Sequence, residues 1–111
     1  MTELCSDCSV EEINEKRDAG EDLFLLDVRT AQELDIAKLD FADHIPMDEI
    51  QARIGELESR RDQEIIVMCH HGGRSAHVQG FLINAGFKNV RNLVGGIDVY
   101  ASRIDTSLSR Y

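Results

Sequence analysis

Two continuous apolar runs stand out along the chain, at residues 23–28 and 64–68. Neither run alternates with polar positions, which is typical of strands buried on both faces, as in parallel sheets. The first run ends in acidic and basic positions, and the second leads directly into Cys69. The pattern therefore predicts two buried strands, with candidate chemistry at the end of the second.

Two helices are marked at their first residues by capping sequences. Each pairs a hydroxyl residue with a glutamate three positions later: Ser9 with Glu12, and Thr30 with Glu33. In such a capping box the hydroxyl and the carboxylate each bond to a free backbone N–H of the first turn. The two boxes predict helices over residues 10–18 and 31–37.

Helical spacing predicts a further helix in the middle of the chain. Ile50, Ile54 and Leu57 recur on one face after a possible cap at Asp48, so a helix is expected to run from there to about residue 60. Glycines and a proline mark the limits of four further elements. Two extended segments are predicted at 42–45 and 90–93, and two helices at 73–85 and 97–103. Residues 105–111 are polar and are expected to form an extended tail.

Strands thus alternate with helices along the chain. This order predicts a three-layer α/β/α domain with a mostly parallel sheet of about five short strands and right-handed crossovers. With 111 residues the chain is expected to be one domain, with a core over about 9–103 and tails at 1–8 and 104–111. Binding sites in such sheets lie beyond the carboxyl ends of the strands, where Cys69 is expected.

Charge and hydropathy limit the expected partners and location. The chain has 21 acidic and 12 basic residues and a net charge of −9, which argues against nucleic acid and anionic membranes as partners. No apolar stretch is long enough to span a bilayer, and the first residues lack the basic and apolar regions of a signal peptide. A cytoplasmic protein, monomeric or weakly homodimeric, is expected.

Three cysteines, an odd number, form no even disulfide framework, which fits a reducing compartment. Cys5 and Cys8 have the spacing of half a zinc site or of a redox pair that could resolve a modified Cys69. A structural zinc site usually needs a second pair of ligands, so no metal is expected. Exposed thiols are the simpler interpretation of Cys5 and Cys8.

The segment after the second strand has the composition of an anion-binding loop. It consists of Cys69, His70, His71, Gly72, Gly73, Arg74 and Ser75. The glycines let the backbone turn successive N–H groups inward, and the following helix adds positive potential at its N-terminus. A cysteine there is expected to have a low pKa and to be a nucleophilic thiolate. The simpler alternative is a small buried apolar residue, but the basic neighbours favour the thiolate.

This loop resembles the active-site loop of the rhodanese family, in particular that of single-domain rhodaneses. Other stretches agree with the family in order and spacing: 25–29, 33–34, 44–46, 85–90 and 93–97. The resemblance covers roughly residues 9–102. The chain departs from the family at 37–42, where many relatives have a Gly-His-hydrophobic-Pro-Gly-Ala stretch, and at Tyr100, near a frequent tryptophan.

The resemblance implies a sulfurtransferase. Cys69 would attack the outer sulfur of an anionic donor such as thiosulfate and carry that sulfur as a persulfide. Cyanide, a thiol or a protein would then accept the sulfur. Residues 70–75 would bind the donor, and no cofactor would be needed. A second interpretation is a non-catalytic or protein-only module for sulfur relay or interaction.

Loop length separates sulfur chemistry from phosphate chemistry on this fold. Four residues lie between Cys69 and Arg74, whereas the related dual-specificity phosphatases have five in a wider cradle. The shorter loop favours sulfur transfer over a phosphatase. Asp27 and Arg29 are expected to pair within the scaffold, and His44 is expected to be structural.

Overall fold

The computed structural model describes residues 7–111, which form a five-stranded parallel sheet with helices on both faces. The strands are β1 (Asp7–Cys8), β2 (Leu25–Asp27), β3 (Ala42–His44), β4 (Glu64–Met68) and β5 (Asn89–Leu93). Their order across the sheet is β1-β5-β4-β2-β3, and every pairing is parallel. The helices are α1 (Val10–Asp18), α2 (Ala31–Ile36), α3 (Gly73–Asn84) and α4 (Gly96–Arg103), with 3₁₀ helices at Met47–Glu49 and Ile54–Arg60. The predicted α/β class is confirmed.

Strand β4 has a continuously apolar sequence because it is buried on both faces of the sheet. Ile65 and Val67 belong to the core cluster on one face of the sheet, whereas Ile66 and Met68 belong to the cluster on the other face. All four side chains have 0% exposure. Helix α3 and the 3₁₀ segments cover the first cluster, and α1 and α4 cover the second. The sheet is therefore the middle of three layers, as the sequence predicts.

The two capping sequences behave differently. Around Thr30 the box is complete, because the Glu33 carboxylate accepts from the Thr30 N–H at 3.1 Å. Ser9 accepts from the backbone N–H of Glu12, also at 3.1 Å, but the Glu12 carboxylate does not reach back. It binds the guanidinium of Arg91 on β5 instead, since an ion pair is the stronger use of a carboxylate.

The single helix predicted from Asp48 to about residue 60 is wrong. Two 3₁₀ helices and intervening turns occupy this stretch. Gly55 lowers the helical propensity by about 1 kcal/mol. The ion pairs Arg53–Glu56 and Glu58–Arg61 are spaced three residues apart, a spacing that a 3₁₀ helix favours, and Arg53 also pairs with Glu49. The apolar positions are nevertheless the predicted ones: Ile50 and Leu57 are buried, and Ile54 packs against them.

Both ends of the described chain depart from expectation. Strand β1, which the sequence does not predict, forms the edge of the sheet beside β5 and turns Cys8 into the core, where it is 1% exposed. An exposed thiol at Cys8 is therefore wrong, and Cys5 lies outside the described residues. The extended tail expected at 105–111 is also wrong. The chain turns after Asp105, and Leu108 packs against the cluster beneath α1 and α4.

Residues 37–42, where the family's glycines and proline are missing, use an ordinary backbone. Ala37 and Leu39 are buried, and the N–H of Ala42 donates to the Leu39 carbonyl at 3.1 Å. Within the described range no residue other than glycine has a positive φ. Over the same range no helix is both long and apolar enough to cross a membrane.

Candidate active site

The candidate site lies where the carboxyl ends of β2, β4 and β5 meet. Cys69 follows β4 directly, and residues 69–75, here called the cysteine loop, lead into α3. Gly72 makes the turn at a φ of +118°, a conformation that side chains rarely adopt. This turn brings the first turn of α3 back over the cysteine.

Several donors converge on the sulfur of Cys69, which is 1% exposed. The N–H of Gly72 donates to Sγ at 3.0 Å, and the Ser75 hydroxyl lies 3.4 Å away. Burial by itself raises the pKa of the Cys69 thiol. Hydrogen bonds from the Ser75 hydroxyl and from the backbone N–H groups of Ser75, Gly72 and His71 outweigh burial, so the pKa lies below its ordinary value. The site thus favours a thiolate.

The Ser75 hydroxyl is itself held by Asn92, a residue that the sequence did not single out. Ser75 is fully buried and lies within hydrogen-bond distance of Cys69 Sγ, the Gly72 carbonyl and Asn92 Oδ1. Asn92 Nδ2 donates to the Gly72 carbonyl at 3.2 Å, which sets the amide so that Oδ1 faces Ser75. One hydroxyl proton serves one acceptor at a time. Ser75 can therefore donate to a thiolate, or donate to Asn92 and accept from a thiol.

The start of α4 fixes the other side of the cysteine loop. The carbonyls of Cys69 and His70 accept from the N–H groups of Ile97 and Asp98 at 3.0 and 3.1 Å. Gly96 has a φ of +59°, and a Cβ there would overlap both carbonyls. With these acceptors turned to α4, the N–H groups of the loop are left to face the sulfur.

Arg74 does not extend freely towards solvent. Its two terminal nitrogens donate to the two carboxylate oxygens of Glu33 on α2, at 2.6 and 2.8 Å. The hydrogen bond from Arg74 holds the pKa of Glu33 well below its usual range. This pair joins the cysteine loop to α2, and that Arg74 holds the loop or the substrate stays a prediction.

The pair expected between Asp27 and Arg29 is present and buried, with Nη2 and Oδ2 2.7 Å apart. His44 Nε2 lies 2.7 Å from the Arg29 carbonyl, which agrees with a structural histidine. Arg29 also donates to the phenol oxygen of Tyr111 at 3.0 Å. The buried pair therefore connects the end of β2 to Tyr111.

The rings of the two histidines of the cysteine loop lie against each other, and His70 also stacks on Tyr111. The His70 ring lies 3.8 Å from the His71 ring on one side and 3.8 Å from the Tyr111 ring on the other, nearly parallel to the latter at 5°. Over residues 7–111, His70 Nε2 is buried without a hydrogen-bond partner. In that same range no cluster of three or more His, Cys, Asp or Glu side chains could hold a metal ion.

The fold and the site together define a class: a parallel α/β domain with a buried cysteine in a glycine-bearing loop at the end of a central strand. The rhodanese-like domain family matches residues 9–103 of this chain. The chain belongs to that family.

Relatives and solved structures agree with this assignment. The chain is 37% identical over 89 residues to the putative sulfur carrier protein YrkF of Bacillus subtilis, covering 80% of this chain and 47% of the relative. It is 36% identical over 85 residues to the putative sulfurtransferase YtwF of the same organism, covering 77% and 80%. The chain thus spans about half the length of the first relative. The crystal structure of SSP1007 from Staphylococcus saprophyticus superposes with a TM-score of 0.80 at 29% identity, covering 89% of this chain and 96% of that one.

Proposed function

We propose that this protein is a sulfurtransferase that carries sulfane sulfur on Cys69. The observation that supports this most is the pair of donors at Sγ, the Gly72 N–H at 3.0 Å and the Ser75 hydroxyl at 3.4 Å. They favour the thiolate that must attack, so no separate general base is needed. The relatives named as a sulfurtransferase and a sulfur carrier protein support the same class of reaction.

The proposed reaction has two displacement steps. The Cys69 thiolate attacks the outer sulfur of thiosulfate, a new S–S bond forms, and the old S–S bond breaks with its electron pair leaving on sulfite. The acceptor then attacks the outer sulfur of the persulfide, and the bond to Sγ breaks to return the thiolate. With cyanide as acceptor the product is thiocyanate. No electron or proton from outside is required.

The cysteine loop would stabilise charge in both steps. Negative charge grows on the leaving sulfite in the first step and on Sγ in the second, and N–H groups already aimed at this position cost no reorganisation. In this proposal Cys69 is the nucleophile, and His70, His71, Gly72, Gly73, Arg74 and Ser75 form the donor-binding loop. Arg74 contributes through its pair with Glu33.

A protein acceptor is the second form of the proposal. One relative is named as a putative sulfur carrier protein, which supports relay to a protein thiol or carrier. We place this exchange in the cytoplasm, where a reducing medium would keep the free thiols of Cys8 and Cys69 reduced.

Intact-mass spectrometry after incubation with thiosulfate tests the proposal. We expect a gain of one sulfur atom, its loss on addition of cyanide, and no gain in Cys69→Ser. The matched control Cys8→Ala keeps the nucleophile and should still gain the sulfur. A gain that survives in Cys69→Ser would refute the proposed carrier. No gain with thiosulfate, but a gain from a persulfidated protein donor, would favour the relay form.

A further inference from the structure

The 105–111 segment crosses the edge of the sheet on which Cys69 lies. Arg110 binds the Asp98 carboxylate on α4, after β5, at 3.1 and 3.2 Å. Tyr111 contacts Arg29, beyond β2, and stacks on His70, beyond β4. The segment therefore contacts one residue beyond each of the three strands β2, β4 and β5, whose carboxyl ends form the site.

Tyr111 is the part of this segment that is fixed against the cysteine loop. Its ring lies parallel to His70, the residue after the nucleophile. Its hydroxyl accepts from Arg29 at 3.0 Å and donates to Glu33 at 2.7 Å. One stack and two charge-assisted hydrogen bonds hold an aromatic side chain that is otherwise 37% exposed. Cys69, the residue that precedes His70 in the chain, is 1% exposed.

We propose that Tyr111 is a specificity-determining residue that limits the size of the acceptor that reaches Cys69. The role in choosing an acceptor rests on the proposed function. The restriction of access to Cys69 rests only on the contacts of Tyr111. A small nucleophile such as cyanide needs little room beside the persulfide. A larger thiol needs the space that the phenol ring and the adjoining His70 ring occupy, so Tyr111 must leave before it reacts.

Alkylation of Cys69 tests the gate without any sulfur transfer. The rates of iodoacetamide, a small reagent, and N-(1-pyrenyl)maleimide, a bulky one, are compared in wild type, Tyr111→Ala and Tyr111→Phe, with the site assigned by peptide mass spectrometry. We expect Tyr111→Ala to raise the bulky-to-small rate ratio about tenfold, as loss of a stack and its hydrogen bonds allows. Tyr111→Phe keeps the ring and should change the ratio less.

The matched control is Ile83→Ala, which removes an apolar side chain that is 46% exposed near the far end of α3. Its ratio should equal that of wild type. An unchanged ratio in Tyr111→Ala would overturn the gate. A ratio that rises equally in Ile83→Ala would overturn it too, because the effect would then be general loosening.

Sulfur transfer from thiosulfate to glutathione or to cyanide gives the second readout. In Tyr111→Ala we expect kcat/KM for glutathione to rise relative to that for cyanide. If wild type and Tyr111→Ala have the same bulky-to-small alkylation ratio but the persulfide forms, the proposed gate is wrong and the proposed sulfurtransferase activity stands. If the alkylation ratio rises but no variant takes sulfur from any donor, the gate stands and the proposed function is wrong.

Discussion

The carboxylate of Glu33 and the guanidinium of Arg74 form two parallel hydrogen bonds, at 2.6 and 2.8 Å, between residues 41 positions apart in the sequence. The pair joins α2 to the first turn of α3. Glu33 also closes the capping box of α2 through Thr30 and accepts from Tyr111. One carboxylate thus contacts the start of a helix, the cysteine loop and the residue proposed as a gate.

If Arg74 acts by holding the loop, Glu33 and Arg74 should be energetically coupled. We expect Glu33→Gln and Arg74→Ala each to lower kcat/KM for thiosulfate about tenfold, or about 1.4 kcal/mol. The double variant should lose no more than either single variant, because the same contact is removed once. Steady-state kinetics of the four proteins measures the coupling. Additive losses would mean that Arg74 acts on the donor independently of Glu33.

The control for this cycle is Glu56→Gln. It breaks a comparable contact with Arg53, at 2.9 Å, on an exposed 3₁₀ helix. Exposed ion pairs contribute little, so activity and stability should match those of wild type. A tenfold loss in this control would show that the assay responds to charge in general.

The Ser75 hydroxyl should set the pH at which Cys69 becomes reactive. In Ser75→Ala the thiolate loses a donor, so the pKa of Cys69 should rise. Because alkylation follows the thiolate, the iodoacetamide rate should rise with pH at a higher pH than in wild type. The exposed Ser102→Ala, which removes a hydroxyl bonded to the Val99 carbonyl, is the control and should leave the profile in place. A profile unmoved by Ser75→Ala would contradict this assignment.

Gly96 should be indispensable for the packing of α4 against the cysteine loop. We expect Gly96→Ala to destabilise the protein by about 2–4 kcal/mol, because a Cβ at positive φ strains the backbone and overlaps two carbonyls. Gly80→Ala is the opposite case: it lies inside α3 with open space around it, and it should stabilise by about 0.5–1 kcal/mol. Urea unfolding measures both. Equal midpoints for the two variants would refute the close approach.

The two described cysteines should differ sharply in reactivity. Burial raises the pKa of Cys8 to about 12, whereas that of Cys69 is lowered. Near pH 8 iodoacetamide should label Cys69 in the native protein and reach Cys8 only after unfolding, as peptide mass spectrometry would show. Native labelling of Cys8 at a similar rate would mean that β1 opens readily. Slow labelling would also argue against Cys8 as a resolving thiol.

Long apolar runs made much of the sheet predictable. Strand β4 occupies the predicted residues 64–68, and β2 lies inside the predicted run, because both strands are covered on both faces. Strand β1 has two residues, too few to show any period, so its pairing with β5 is a tertiary effect that hydropathy does not record. Apolar spacing likewise placed Ile50 and Leu57 in the core but did not distinguish a 3₁₀ helix from an α-helix.

The candidate site was predictable where it is contiguous in sequence. Cys69 and the residues that follow it lie within one short segment, so their types and spacing could be interpreted together. Asn92 and Tyr111 come from distant segments, and only the folded chain brings them to the loop. Glu33 had an evident local role as a capping residue, and this concealed its second role as the partner of Arg74.

Pairing of both site arginines has a consequence for how anions are attracted. Arg29 is matched by Asp27 and Arg74 by Glu33, while the whole chain has a net charge of −9. Peptide dipoles act over a few ångströms, so a dianionic donor is repelled at long range and captured only on contact. Added salt should therefore raise kcat/KM for thiosulfate by screening the repulsion and leave alkylation by neutral iodoacetamide unchanged, as stopped-flow measurements can show. Under the proposed function, the direction and distance of the loop N–H groups would select an anionic donor, and ionic strength would change only the rate at which donor and protein meet.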